Sequence, residues 1–92
     1  MILSFKNRET EALYESGKSR IYGTISRTAN RKLIQLDEAI ELSDLAAPPG
    51  NRLEALTGNR RSQHSIRIND QWRLCFRWSG TDANEVEICD YH

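Results

Sequence analysis

No apolar run in this chain exceeds a few residues, so no segment is long enough to span a membrane. The opening stretch MILSFKNRE lacks the extended apolar segment of a secretory signal, and a cytoplasmic address is the expectation. Cysteine is scarce: Cys75 and Cys89 are too few for a disulfide-stapled scaffold and fit a reducing compartment. Neither lies in a CxxC spacing and no HxxxH occurs, so a metal site is not expected. Phosphate loops, dinucleotide fingerprints and GxSxG elbows are missing, which leaves no cofactor to predict. Internal repeats and low-complexity segments are missing too. Net charge is the last absence: 13 Lys and Arg balance 13 Asp and Glu, which alone argues against a nucleic-acid binder.

What is present makes one domain over residues 1–92, with 38% hydrophobic and 28% charged residues, an ordinary globular composition. The zero net charge hides an uneven distribution. Residues 18–32 hold Lys18, Arg20, Arg27, Arg31 and Lys32 with no acid; residues 33–51 hold Asp37, Glu38, Glu41 and Asp44 with no base. Residues 52–77 then carry Arg52, Arg60, Arg61, Arg67, Arg73 and Arg77 against Glu54 and Asp70. The acidic block reads as a solvated helix face, and the basic blocks as a surface for an anionic partner.

MILSF predicts a short first strand. Asn7 as N-cap, Glu9 and Glu11 in the first turn and Gly17 past the end predict a helix over 8–16. Ile25, Ala29, Leu33, Leu36 and Ile40 form one apolar stripe, predicting a longer helix over 24–42 with Arg27 and Arg31 off the stripe. Pro48-Pro49-Gly50 closes this half. HSIRI, WRLCFRW and EVEIC then alternate by two, and RLEAL is a weaker strand candidate. The fold class is α+β: two helices from the N-terminal half packed on a small, mainly antiparallel sheet.

Strand parity puts Trp72, Leu74, Phe76 and Trp78 on the core face, and Arg73, Cys75 and Arg77 on the other with Glu87, Cys89 and Tyr91. Pairing Trp78 with Val86 and Phe76 with Ile88 sets Arg77 opposite Glu87, Cys75 opposite Cys89 and Arg73 opposite Tyr91. The preceding hairpin pairs Ile66 with Leu74 and Arg67 with Arg73. A slip of two residues changes these partners but not the faces. Two opposed arginines without an obvious carboxylate suggest a phosphate site on the non-core face. Parity alone equally allows solvent-exposed arginines with water between them. His92, beside Tyr91, is a titratable group that can exchange a proton with a phosphodiester, and its other reading is a frayed terminus. Asp90 has core-side parity, so it is expected to contact the chain end, an arginine or a backbone N–H. His64 is read as a satisfied structural histidine.

The stretch NRLEALTGNRRSQHSIRINDQWRLCFRW, followed by VEICDYH, resembles the HigB toxins of type II toxin–antitoxin modules. The likeness is to the GraT-like branch, also called plasmid maintenance killer proteins. It extends to the MILSF start and to ELSDLAAPPGNRLE. It implies a RelE-like fold and a ribosome-dependent endoribonuclease that cuts mRNA in the ribosomal A site. The implied partner is a HigA-like helix-turn-helix antitoxin, in a hetero-oligomer that reaches operator DNA through the antitoxin. Carried over by position, Arg73 is the arginine that stabilises the transition state, and Asp90, Tyr91 and His92 form the C-terminal catalytic group. The chain would then stop at His92 because its last residues complete the site. Gln71 takes the place of a base-reading asparagine. Arg60, Arg61 and Arg67, with Arg27 and Arg31 of the helical half, would meet ribosomal RNA or mRNA, an interaction expected to weaken with salt. One departure stands out: LEALTG replaces a pattern like LHPLKG, so Glu54 and Thr57 stand where a histidine and a lysine are expected. The base is then Glu54 or His92. A weakly catalytic antitoxin-binding protein that tunes repression of its own operon is the alternative function.

Overall fold

The computed structural model describes residues 1–90. Asn7 begins the first helix, α1 (Arg8–Ser16), by accepting from the Thr10 N–H at 2.9 Å, and Gly17, with φ of 75°, ends it. Only glycine takes that backbone readily, and its N–H closes on the Leu13 carbonyl. Both ends agree with the sequence reading.

The second helix is shorter than its apolar stripe suggests. A 3₁₀ turn, Gly23–Ile25, leads into α2 (Ser26–Glu38), and a second turn spans Leu42–Leu45. Ile25, Ala29, Leu33 and Leu36 are buried as predicted, but Ile40 is 66% exposed and Ala39 is buried in its stead. The cause is local: Asp44 accepts from the Ile40 and Glu41 N–H groups at 3.0 Å, and these donors are lost to the helix. Backbone N–H bonds hold Asp44 below the usual carboxylate range.

Four strands follow in the order β1 (Glu54–Ala55), β2 (His64–Arg67), β3 (Trp72–Ser79) and β4 (Asp82–Asp90), each antiparallel to its neighbour. The MILSF segment is not a full strand. It lies parallel to β4 through two bridges, Ile2 to Ala83 and Phe5 to Val86. Between them Glu85 bulges at φ 52°, and its N–H donates to Ser4 Oγ at 2.9 Å.

The β2–β3 register has Ile66 opposite Leu74 and Arg67 opposite Arg73, as expected. The β3–β4 register does not. Arg73 faces Cys89, Leu74 faces Ile88 and Cys75 faces Glu87, a slip of two residues from the predicted pairing. A tight turn over Gly80 and Thr81 pairs Ser79 with Asp82, so β4 begins three residues before the predicted strand. The irregularity between Cys75 and Arg77 then restores the faces: Ala83, Val86 and Ile88 all point to the core. Helices and sheet enclose Leu13, Leu33, Leu36, Ile66, Leu74 and Phe76, with Trp72 and Trp78 at the margin. On the opposite face Leu56, Cys75 and Cys89 form a smaller buried cluster. No helix among the described residues is long and apolar enough to cross a membrane.

Candidate active site

The non-core face carries the charge. Register places Glu54, Ser65, Cys75 and Glu87 in one row across all four strands, and Arg67, Arg73 and Cys89 in the next. Arg73 is the best-anchored arginine of this face. Its Nε donates to Ser65 Oγ at 2.7 Å, its Nη2 to the Arg52 carbonyl at 2.8 Å, and Glu54 Oε1 lies 3.7 Å from Nη2. Its side chain is only 12% exposed, so the guanidinium is fixed before any ligand arrives. The Arg52 carbonyl is aimed there by a backbone kink, Arg52 having φ of 46°.

The expectation that Arg67 and Arg73 lack carboxylates is corrected: Arg67 pairs with Asp70 and Arg73 with Glu54. Arg77 pairs with Glu85 rather than Glu87, because the slipped register moves Glu87 two residues along the strand. Cys75 and Cys89 are diagonal rather than direct partners, both reduced and buried. Asp90 is exposed, not buried, and accepts from Gln71 Nε2 at 3.1 Å. Arg27 and Arg31 lie on the exposed side of α2, and Arg61 is exposed in the β1–β2 connection. Arg60 instead folds inward, its Nη2 2.8 Å from Glu87 Oε1 and its Nη1 3.2 Å from Gln63 Oε1. His64 stacks on Phe76 with ring centroids 6.4 Å apart, but its buried Nδ1 finds no partner among the described residues, contrary to the satisfied histidine expected. Tyr91 and His92 lie outside the described residues.

Glu87, Cys75 and Cys89, three ionisable groups of this face, depart from their ordinary behaviour. Burial pushes the Glu87 carboxyl up, but hydrogen bonds from the Cys89 thiol and Arg60 outweigh it and hold the group low. The Cys75 thiol is also held low, by a hydrogen bond from Cys89 first and, against burial, by the field of Arg60 and Arg73. Cys89 is pushed up by Cys75 and by burial, so it stays a protonated donor. No group of three or more His, Cys, Asp and Glu side chains suited to a metal occurs among the described residues.

Sequence reasoning missed Ser65 and the Arg52 carbonyl, and assigned Glu87 to Arg77 instead of Arg60. Ser65 and Glu87 share parity with the arginines, which was a usable signal. The Arg52 carbonyl had none, since its direction is set by the kinked backbone.

A preorganised arginine with a carboxylate 3.7 Å away can stabilise a phosphorane while the carboxylate takes a proton. Residues 3–92 match the family described as RelE-like toxin of type II toxin-antitoxin system HigB. Toxin HigB-1 of Vibrio cholerae is 46% identical over 80 residues, covering 85% of this chain and 84% of its own. Endoribonuclease HigB of Proteus vulgaris is 31% identical over 93 residues, the full length of both. Among solved structures, the YoeB–YefM complex from Staphylococcus aureus contains a chain matching with a TM-score of 0.62 at 18% identity, covering 100% of this chain and 98% of that one. A YoeB dimer from the same organism matches at 0.58 and 22%, covering 99% of this chain and 94% of that one. These likenesses give the fold, which is RelE-like. By its sequence over nearly all its length, the chain belongs to the HigB-like toxin family.

Proposed function

We propose that this protein is an endoribonuclease toxin that cleaves mRNA in the A site of the ribosome and so stops translation in the cytoplasm. The observation that carries this reading is the fixed Arg73 guanidinium beside Glu54 on the non-core face of the sheet. The name of the Proteus relative, Endoribonuclease HigB, supports the same chemistry. In this reading the ribose 2′-OH attacks the adjacent phosphorus and gives its proton to Glu54. Arg73 stabilises the phosphorane, and His92 protonates the departing 5′ oxygen as the P–O5′ bond breaks. Tyr91 positions the nucleophile, and Asp90, with Gln71, orients the neighbouring groups. Arg27, Arg31 and Arg61, exposed on the surface, supply contacts to ribosomal RNA. A HigA-like antitoxin neutralises the toxin in a hetero-oligomer and carries it to operator DNA. The presence of YefM with YoeB in a related structure supports an antitoxin partner.

Primer extension on a defined mRNA in a purified translation system tests this, with wild type, Arg73→Ala, Glu54→Gln and His92→Ala run with and without ribosomes. The expected result is cuts that require ribosomes and disappear in Arg73→Ala. Folded wild type that makes no cuts would sink the enzyme reading and leave an antitoxin-binding regulator.

A further inference from the structure

Glu87, on β4, is 8% exposed, and a buried carboxylate is costly unless charged partners surround it. The chemistry assigned to Arg73 and Glu54 makes no use of it. Its main partner is Arg60, whose Nη2 lies 2.8 Å from Oε1, and the Cys89 thiol donates to the same oxygen at 3.0 Å. Arg60 sits in the 3₁₀ turn Gly58–Arg60 of the β1–β2 connection, at one edge of the sheet, yet its side chain reaches β4 at the other. The connection is therefore drawn over the non-core face, with Leu56, Cys75 and Cys89 buried beneath it.

This places two arginine–glutamate pairs at opposite ends of the Glu54–Ser65–Cys75–Glu87 row. Arg73 is tied to Ser65 and Glu54, Arg60 to Glu87. From β2 to β4 is two strand spacings, about 10 Å at the backbone, so the two guanidinium groups stand at the two ends of a row whose centre, Cys75, is buried with Leu56 and Cys89. The low Cys75 thiol, on which both arginines act, agrees with that placement. Arg60 is one-third exposed, and its bonds to Glu87 and Gln63 cannot occupy five N–H donors. A phosphorane carries two negative charges, and Arg73 is already partly neutralised by Glu54. Arg60 is likewise paired with Glu87, so what it adds to this face is its uncommitted N–H donors.

We propose that Arg60 is a second phosphate-binding cation of the active site, and that Glu87 is the positioning residue that holds it there. This rests on the endoribonuclease reading. It gives Arg60 a place on the scissile strand rather than on ribosomal RNA.

The test is single-turnover cleavage of mRNA on programmed ribosomes by wild type, Arg60→Gln, Arg60→Lys, Glu87→Gln and, as reference, Arg73→Ala. Substrates carry either the normal phosphate or single phosphorothioate diastereomers at the cut. Arg60→Gln is expected to lower the rate at saturating toxin about 100-fold, as loss of one transition-state donor does, with the half-saturating concentration unchanged. Arg60→Lys should recover part of that loss, and Glu87→Gln should slow the reaction about tenfold by loosening Arg60. Discrimination between the diastereomers should shrink in Arg60→Gln, which a merely structural clip would not cause. An Arg60→Gln protein that cleaves at the wild-type saturating rate overturns the proposal. Raised half-saturation alone would then mark a ribosomal contact, and a lowered unfolding midpoint alone a clip for the turn. If wild type does not cut, the endoribonuclease reading fails and this inference with it. If Arg73→Ala abolishes cutting while the Arg60 and Glu87 variants cut normally, only the inference fails.

Discussion

Replacing Asn51 with alanine should unfold this protein more easily than any surface change, although Asn51 touches no proposed substrate. The residue is completely buried, and each polar atom of its side chain is used. Lys32 Nζ donates to Oδ1, while Nδ2 donates to Gln35 Oε1 at 3.1 Å and to the Leu45 carbonyl at 3.0 Å. One side chain thus joins α2, the Leu42–Leu45 turn and the chain entering β1. Its backbone carbonyl accepts from the Arg67 N–H at 2.6 Å, and the next residue presents the carbonyl that binds Arg73. Alanine keeps the backbone bonds and loses the three side-chain ones. Lys32 can turn toward water, but the Leu45 carbonyl is left without its partner, and one such buried group costs about 1–3 kcal/mol beyond the lost bonds. A total near 3 kcal/mol is expected, against a stability of roughly 5–14 kcal/mol for a chain of this length. In urea the midpoint should fall by about 1.5–3 M, taking a slope of about 1–2 kcal/mol per molar. Asn51→Asp keeps the acceptor for Lys32 but loses both donors, so its midpoint should lie between the other two. Equilibrium urea unfolding followed by tryptophan fluorescence measures all three. An Asn51→Ala midpoint equal to wild type, with an unchanged slope, would refute the argument that this residue ties the two halves together.

Leu33→Ala removes a side chain with no exposure from the centre of the core and should cost about 3 kcal/mol, read as a lower urea midpoint. Asn7→Ala deletes the acceptor for the Thr10 N–H and should cost about 1 kcal/mol, with the loss confined to stability and cleavage by the folded protein unchanged. Glu87 titrates below its ordinary value when folded, so the stability it adds is present above the unfolded glutamate value of about 4.3 and is lost as pH falls through the lower folded value. Unfolding of wild type and Glu87→Gln should therefore differ more at pH 7 than at pH 3, and a gap that widens in acid would contradict the pairing with Arg60.

The limits of α1 were legible because capping is local: Asn7 and Gly17 carry their own backbone preferences. Sheet faces were legible for a similar reason, since alternation along one strand fixes which side chains share a side. Arg73, Glu54 and the arginine-bearing face could thus be named from spacing and resemblance. Partners could not, because partners depend on register, and register on a turn and a bulge. The Gly80–Thr81 turn and the positive φ of Glu85 moved Glu87 from Arg77 to Cys75 and so into reach of Arg60. Helix α2 stopped before Ile40 because Asp44, four residues ahead, captured the N–H that the helix needed. The sequence by itself determined α1, the alternating faces of the sheet and the family, all properties of neighbouring residues or of pattern along the chain. Only the tertiary structure decided which charges meet: Arg73 with Glu54, Arg67 with Asp70 and Arg60 with Glu87. Two of those three pairs, Arg73–Glu54 and Arg60–Glu87, join residues distant in the sequence, and the chain closes those distances only when the whole sheet has formed.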